Sequence, residues 1–514
     1  MLTSTRRTRI LLLGVTFVVA ACGLVYELAL ISLGAYLIGN TAAQASIVLS
    51  VMVFAMGVGA LAAKPLQKWP ALSFAMVELA LALVGGLSVV ALYASFAWLH
   101  LYTFPLVAIA FFIGFLVGAE IPLLMELLQR IRKQAAGSAV ADLNAADYLG
   151  GLIGGLAFPF LLLPFFGQIR GAVIVGAVNA VAGLILVVVV FRSELGKVAK
   201  RVLYSFSVLI ALSLSVVFAF TAQIEASARQ AFFAAPIVYS ETSQYQDIIL
   251  TEEASPFGER DFRMFLNGDL QFSSVDEYRY HEALVHPVMD GPRSNVLVLG
   301  GGDGLAVREI LEYPDVEKVT LVDLDPAVTE LGKTYPRLVD LNEDALNDPR
   351  VNVVNGDAFT WLRDQTDVWD AIIVDMPDPD STELAKLYSV EFYGMAGQAL
   401  SPDGRMVVQS SSPYFAPKSY WTVASTLEEA GFAPASYWVS VPTFGDWGYH
   451  AVAPGGKPDL SLEDSVEDSM RSLSEESLRA AQTFPVDRQR QELPPNTLMN
   501  PVIVEYSRTE WKHY

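Results

Sequence analysis

The chain is short of the residues that staple a fold or bind metal. One cysteine, Cys22, occurs in 514 residues, so no intrachain disulfide can form and cysteine usage does not report the redox compartment. The five histidines are scattered, and no His/Cys cluster has metal-ligand spacing. There is no P-loop and no nucleophile elbow. Charged residues make up only 17% of the chain, and the formal net charge is −21. That surplus of acid disfavours nucleic acid as a partner and concentrates cationic ligands.

Apolar sequence is what the chain has in excess. At 53% it exceeds the usual share of a soluble globular protein. It is concentrated in runs at Ile10–Ile38, Ala45–Ala63, Ala71–Ser95, Phe104–Leu128, Leu149–Phe166, Gly171–Phe191 and Val202–Thr221. Each is near or above the roughly 20 residues that span a bilayer as a helix. Seven spans are expected, the fifth, with Pro159 and Pro164, as a broken or re-entrant helix. Residues 1–240 carry a net charge of +6 and residues 241–514 one of −27. A membrane half, partnered by the lipid bilayer, is therefore followed by an acidic soluble half.

Basic residues precede the first run (Arg6, Arg7, Arg9) and fill alternate loops. Those loops hold Lys64 and Lys68, then Arg130, Arg132 and Lys133, then Arg192, Lys197, Lys200 and Arg201; the opposite loops hold only Arg170. The positive-inside rule puts the N-terminus in the cytoplasm, and seven spans then put the soluble half outside. Val19–Cys22 looks like a lipobox and Arg6-Arg7 faintly like a twin-arginine signal, but the apolar run continues past Cys22 as a membrane helix would. Glu27, Glu78, Glu120 and Glu126 lie within or beside the runs. Such carboxylates either bind a cation or pair with polar groups between helices. The small-residue run from Gly150 to Gly155 signals close helix packing.

In the soluble half, Tyr245–Thr251 and Phe262–Leu266 read as strands, Asn267-Gly268-Asp269 as a hairpin turn, and Ser274–Met289 as a helix. Asn295–Leu299 then enters the turn Gly300-Gly301-Gly302-Asp303-Gly304, followed by a helical pattern and a second strand ending in Asp323. This is a βαβ unit with a nucleoside-binding turn, in which an acid at the end of the second strand holds ribose hydroxyls. Asp303 is the informative residue. An anion inside the turn repels a pyrophosphate or an amino-acid carboxylate and suits a nucleoside with a cationic tail, such as decarboxylated S-adenosylmethionine. Further strands end at Asn355-Gly356-Asp357-Ala358, at Asp375-Met376-Pro377-Asp378-Pro379 and at Gln409. Ligands of open α/β sheets bind at these carboxyl ends, and Asp303, Asp323, Asp357, Asp375 and Asp378 are too many to be helix caps alone.

These motifs together resemble the spermidine synthase (polyamine aminopropyltransferase) family, in its form fused to a polytopic membrane domain. The resemblance covers roughly residues 240–454. It rests on GGGDG, Tyr-His-Glu after a β-hairpin, Gly-Asp after the third strand and Asp-x-x-Asp-Pro after the fourth. It implies a small β-strand domain with a helix and an α/β Rossmann, methyltransferase-like domain. It also implies aminopropyl transfer from decarboxylated S-adenosylmethionine, as co-substrate, to putrescine, with no separate cofactor and no metal. By the resemblance Gln246, Gly300, Gly301, Gly302, Asp323, Asp357 and Ala358 hold the nucleoside. Tyr280, His281, Asp303, Asp378 and Gln409 hold the aminopropyl and amine groups, and Asp375 is the catalytic acid. Two departures stand out. Asp380-Ser381-Thr382 replaces the usual Gly-Pro after the Asp-x-x-Asp-Pro loop, and Phe444 replaces a common tyrosine.

The expected organisation is a membrane domain at 1–222, a connector at 223–240, a small β-domain at 241–290, a Rossmann-like domain at 291–455 and an extension at 456–514. That extension reads as an acidic helical segment, Leu460–Ala481, with Pro-rich coil and no chemistry. The expected partners are a small cationic amine and the bilayer of the cell membrane, with room for a homo-oligomer. Two rival readings are an S-adenosylmethionine methyltransferase, which Asp303 opposes, and a membrane polyamine transporter or sensor with a binding-only Rossmann domain.

Overall fold

The computed structural model describes residues 2–38, 41–132, 136–254, 258, 260–467 and 469–513; Lys133 of the third basic loop lies outside them. The chain forms two compact units, Met1–Ala234 and Ala235–Tyr514.

The first unit is helical: α1 (Leu2–Ile38), α2 (Thr41–Ala62), α3 (Pro70–Leu99), α4 (Thr103–Arg132), α5 (Ala136–Ala157), α6 (Leu163–Val189), α7 (Lys197–Ala219) and α8 (Thr221–Phe232). Small residues set its packing. A Cβ on Gly150 would lie 2.1 Å from the Phe17 carbonyl oxygen, and one on Gly154 2.3 Å from that of Ala21. Glycine there lets α5 and α1 touch backbone to backbone.

Among the described residues six helical stretches are long and apolar enough to cross a membrane, not the expected seven. The fifth and sixth runs fall inside one stretch, Val140–Val189. Pro159 has no amide hydrogen to bond its own helix, and a single π-turn at Phe158–Leu162 carries the helix past it. The backbone leaves helical geometry only at Gly167, with φ 69° and ψ −178°.

The expected connector is built of secondary structure, since α8 and strand β1 (Ile237–Thr242) fall within it. β1 is the outer strand of a four-stranded antiparallel sheet with β2 (Asp247–Ala254), β3 (Arg260–Leu266) and β4 (Asp269–Ser273). The β3–β4 turn has positive φ at both central residues, Asn267 (54°) and Gly268 (96°), the geometry that matches strand twist in a two-residue hairpin. Helix α9 (Glu277–Met289) leads from this sheet to the Rossmann sheet.

The Rossmann sheet comprises β5 (Asn295–Gly300), β6 (Lys318–Asp323), β7 (Val351–Asn355), β8 (Trp369–Asp375), β9 (Leu400–Gln409), β10 (Ala435–Val441) and β11 (Gly445–Val452). Their order is β10-β11-β9-β8-β5-β6-β7, and β5 to β9 are mutually parallel. Val296 to Leu299 and Ala371 to Val374 are wholly buried, as central strands covered on both faces must be. Helices α10 (Leu305–Leu311) and α11 (Pro326–Thr334) follow β5 and β6.

Residues 456–513 pack on this sheet. Leu462, Val466 and Leu478 join the core of Val298 and Tyr280, and Ile503 joins that of Val374. The acidic segment expected as one helix is two, Asp464–Glu467 and Glu475–Ala481. Between them the Glu282 carboxylate accepts the amides of Arg471 (2.7 Å), Ser472 (2.9 Å) and Leu473 (2.9 Å). Those donors face Glu282 instead of continuing a helix.

Candidate active site

The parallel strands β5, β6, β7 and β8 end along one edge, and their last residues form the floor of the site. At the end of β5 the turn uses positive φ at Gly300 (87°), Gly301 (65°) and Gly304 (85°). A side chain at Gly300 would place its Cβ 2.0 Å from the Asp375 carbonyl oxygen. Glycine there lets β5 and β8 approach while the turn bends over the edge.

The nucleoside end is organised by Asp323. Its carboxylate accepts the Gly302 amide at 3.1 Å and the Asp325 amide at 2.9 Å. Burial, with Asp303 and Asp325 nearby, still pushes its pKa up to about 6 against the effect of those two amides. Ser243 donates to Asp325 at 2.6 Å, which ties the Ser243–Gln246 turn, and so Gln246, to the end of β6. Asp357 caps the next helix through the Thr360 amide at 2.9 Å and is ion-paired with Lys386. Despite its burial, Lys386 and the Thr360 amide hold its pKa below the ordinary range. Ala358, beside it, is buried.

A second group gathers around Asp375. Tyr280 donates to its carboxylate at 2.5 Å. Burial raises the Asp375 pKa, while the neighbouring His281 and the Tyr280 hydroxyl pull it back. Asp303 caps α10 through the Leu305 amide at 2.9 Å. Its pKa is pushed up to about 6, by burial first and by Asp375 and Glu277 as well, with His281 and the Leu305 amide opposing. His281 Nδ1 lies 2.9 Å from both the carbonyl and a carboxylate oxygen of Glu277. Burial lowers its pKa, but Glu277, Asp303 and Asp375 together carry it above the usual value. Arg308 in turn grips Glu277 through two 3.0 Å contacts.

Asp378 is held by Ser411 at 2.7 Å and Gln409 at 3.3 Å. Its pKa is raised, chiefly by burial. Gln409 also donates to Tyr388 at 2.8 Å and accepts from the Trp447 indole at 3.1 Å. Ser411 takes the left-handed region, φ 65°, a conformation that non-glycine residues adopt at a cost. Asp269, in the β3–β4 hairpin, is exposed on the surface, and its surroundings, with the nearby Asp380 and Asp378, raise its pKa. The rings of Phe444 and Trp447 lie 6.3 Å and 6.4 Å from that of Tyr280.

The fold thus brings the expected residues to one edge and adds Glu277, Arg308, Lys386, Ser411 and Asp269. Glu277 had a signal in the sequence, since it stands one helical turn before His281. The other four are joined to the site only by tertiary contacts. Folding also brings His286, Glu309 and Glu312 within 4.8 Å of one another, a grouping that residue spacing does not reveal. Both ring nitrogens of His286 are already occupied, by Tyr313 at 2.8 Å and Glu309 at 2.9 Å, so the grouping is an internal hydrogen-bond network.

A nucleoside cradle beside two buried carboxylates fits a cationic donor and a cationic acceptor, and the comparisons agree. The model of the spermine/spermidine synthase domain matches residues 277–463. Polyamine aminopropyltransferase 1 of Streptomyces coelicolor is 56% identical over 99% of this chain and 96% of its own length. The chain belongs to the polyamine aminopropyltransferase family. The polyamine aminopropyltransferase of Mycobacterium tuberculosis is 45% identical over 98% of this chain and 97% of its own. These alignments run through the helical unit, so this polyamine aminopropyltransferase shares that unit with its relatives. Among solved structures, a spermidine synthase in complex with the transition state analogue AdoDATO matches with a TM-score of 0.43 and 23% identity, over 54% of this chain and 89% of that one. Like its family, the enzyme uses decarboxylated S-adenosylmethionine as co-substrate and has no separate cofactor.

Proposed function

We propose that this aminopropyltransferase uses putrescine as acceptor, giving spermidine and methylthioadenosine, and that Asp375 is its general base. The acceptor nitrogen attacks the carbon next to the donor sulfonium, a C–N bond forms, and the C–S pair returns to sulfur as a neutral thioether. The attacking amine must first be neutral, and Asp375 takes its proton. The observation that carries this is the Tyr280–Asp375 pair at 2.5 Å beside Asp303 in the turn. The pair holds one carboxylate ready for a proton, while Asp303 faces the donor's aminopropyl ammonium. Asp378, fixed by Ser411 and Gln409, holds the far ammonium of the acceptor. Gln246, Gly301, Gly302, Asp323, Asp357 and Ala358 hold the nucleoside. Assay of the purified full chain across diaminopropane, putrescine, cadaverine and agmatine tests the reading. Putrescine should give the highest kcat/KM, and turnover with none of the four would overturn it.

The helical unit is read as membrane-embedded in the cell membrane. Its stretch Val140–Val189 holds 50 residues, ~75 Å as a helix against a hydrocarbon core of ~30 Å. The break at Gly167 therefore supports two crossings there and seven runs able to cross in all. If all seven cross, a cytoplasmic N-terminus puts the catalytic unit outside, whereas cytosolic supply of the donor favours the inside. We take the inside on that supply, which with a cytoplasmic N-terminus requires that the last run, Val202–Thr221, does not cross. Single cysteines in residues 235–514 of a Cys22→Ser chain should then react with an impermeant thiol reagent only after cells are permeabilised. Labelling of intact cells would reverse the choice.

A further inference from the structure

The segment after the last strand ends at the acceptor side of the site. Arg508 Nε donates to the Asp380 carbonyl at 2.5 Å, just past Asp378. Glu510 accepts the amides of Lys418 and Ser419, each at 3.1 Å, and so caps the helix Pro417–Glu429. Trp511 directly follows these two anchors. Its ring lies 6.2 Å from that of Trp447 and 5.7 Å from that of Phe415. Its indole nitrogen is buried and closes no hydrogen bond within ordinary limits. Asp378 is the carboxylate near enough to feel that N–H. Trp447 spends its own N–H on Gln409, the residue that also holds Asp378.

We propose that Trp511 is an acceptor-site residue of this enzyme, forming with Trp447 the aromatic wall that seats the distal ammonium of the acceptor on Asp378. This rests on the reading of Asp378 as the acceptor's anchor. Two indoles beside one half-buried carboxylate limit water and present π-density to an alkylammonium. The distance from Asp375, where the amine reacts, to this wall sets the acceptor length. Phe444, with its ring 5.1 Å from that of Trp447, extends this aromatic surface. Residues 456–513 are then part of the acceptor site and not an appendage.

The test is steady-state kinetics of Trp511→Ala and Trp511→Phe in the full chain across the same diamines, with calorimetry of donor binding. In Trp511→Ala the KM for putrescine should rise about tenfold, with kcat and donor Kd within about twofold, and preference should shift towards cadaverine. Trp511→Phe, which keeps a ring, should retain the order of preference. An unchanged KM and an unchanged order in Trp511→Ala would overturn the proposal. So would a loss of donor binding that matches the loss of turnover, because Trp511 would then only support the fold. If the wild-type enzyme accepts no diamine, the functional reading itself fails; if it does and Trp511→Ala behaves as wild type, only the role of Trp511 fails.

Discussion

Acidic side chains are buried in both units, but their surroundings differ. In the catalytic unit each carboxylate of the site has a named donor: Tyr280 for Asp375, Ser411 for Asp378, the Gly302 amide for Asp323 and the Leu305 amide for Asp303. In the helical unit Glu78 accepts from Asn179 at 2.8 Å, yet its second oxygen has no partner among the described residues, and neither has Oε1 of Glu120. These four acids are oriented by donors and are only half-buried. Glu78 is enclosed by packing, its Cβ lying 2.5 Å from where a Cβ on Gly183 would be. The carboxyls at the strand ends are thus held by oriented donors, whereas Glu78 is enclosed between helices.

The comparison predicts that the two sets of acids respond differently to neutralisation. Asp375→Asn removes the base and keeps the shape, so turnover should fall ~10²–10⁴-fold while calorimetry shows the donor still bound. Near-normal turnover would remove Asp375 from its role.

Tyr280→Phe should have a smaller effect, read as a pH profile. Asp375 must be ionised to accept a proton, so kcat/KM falls as the pH drops through its raised pKa. The Tyr280 hydroxyl lowers that pKa, and its loss should move the acid limb to higher pH. A limb that stays in place, or moves to lower pH, would show that Tyr280 does not tune this base.

Glu78→Gln should have the smallest effect on catalysis. It keeps an oxygen for Asn179 and replaces a buried carboxyl that has no cationic partner among the described residues. Turnover in detergent should stay within about twofold, and thermal stability should not fall. A large loss of turnover would break the distinction between the units.

Much of this was legible in the sequence because the relevant signals are local. The glycine turn, the Asn267-Gly268 hairpin and the Asp at each strand end are set by backbone geometry over a few residues. Glu277 and His281 share a helix face at four-residue spacing. What was not legible depends on distant chain coming together. Arg308 reaches Glu277 from the next helix, Lys386 reaches Asp357 across 29 positions, and Trp511 arrives from the far end of the chain. The fifth and sixth apolar runs lie in one helical stretch because a π-turn carries the helix past Pro159, and the break that separates them falls at Gly167. The extension, read from its composition as carrying no chemistry, packs on the sheet and brings Trp511 beside Trp447; hydropathy and motif spacing report local order, whereas such neighbours are set by tertiary packing.

Asp303 is what distinguishes this glycine turn from one built for an anion, and paired calorimetry tests it most directly. Full-length enzyme is titrated with decarboxylated S-adenosylmethionine and, separately, with S-adenosylmethionine. The decarboxylated nucleoside should bind more tightly by at least about tenfold, since the carboxylate of the other would face Asp303 in a dry site. Equal or tighter binding of S-adenosylmethionine would contradict the role given to Asp303 and return the methyltransferase reading to first place.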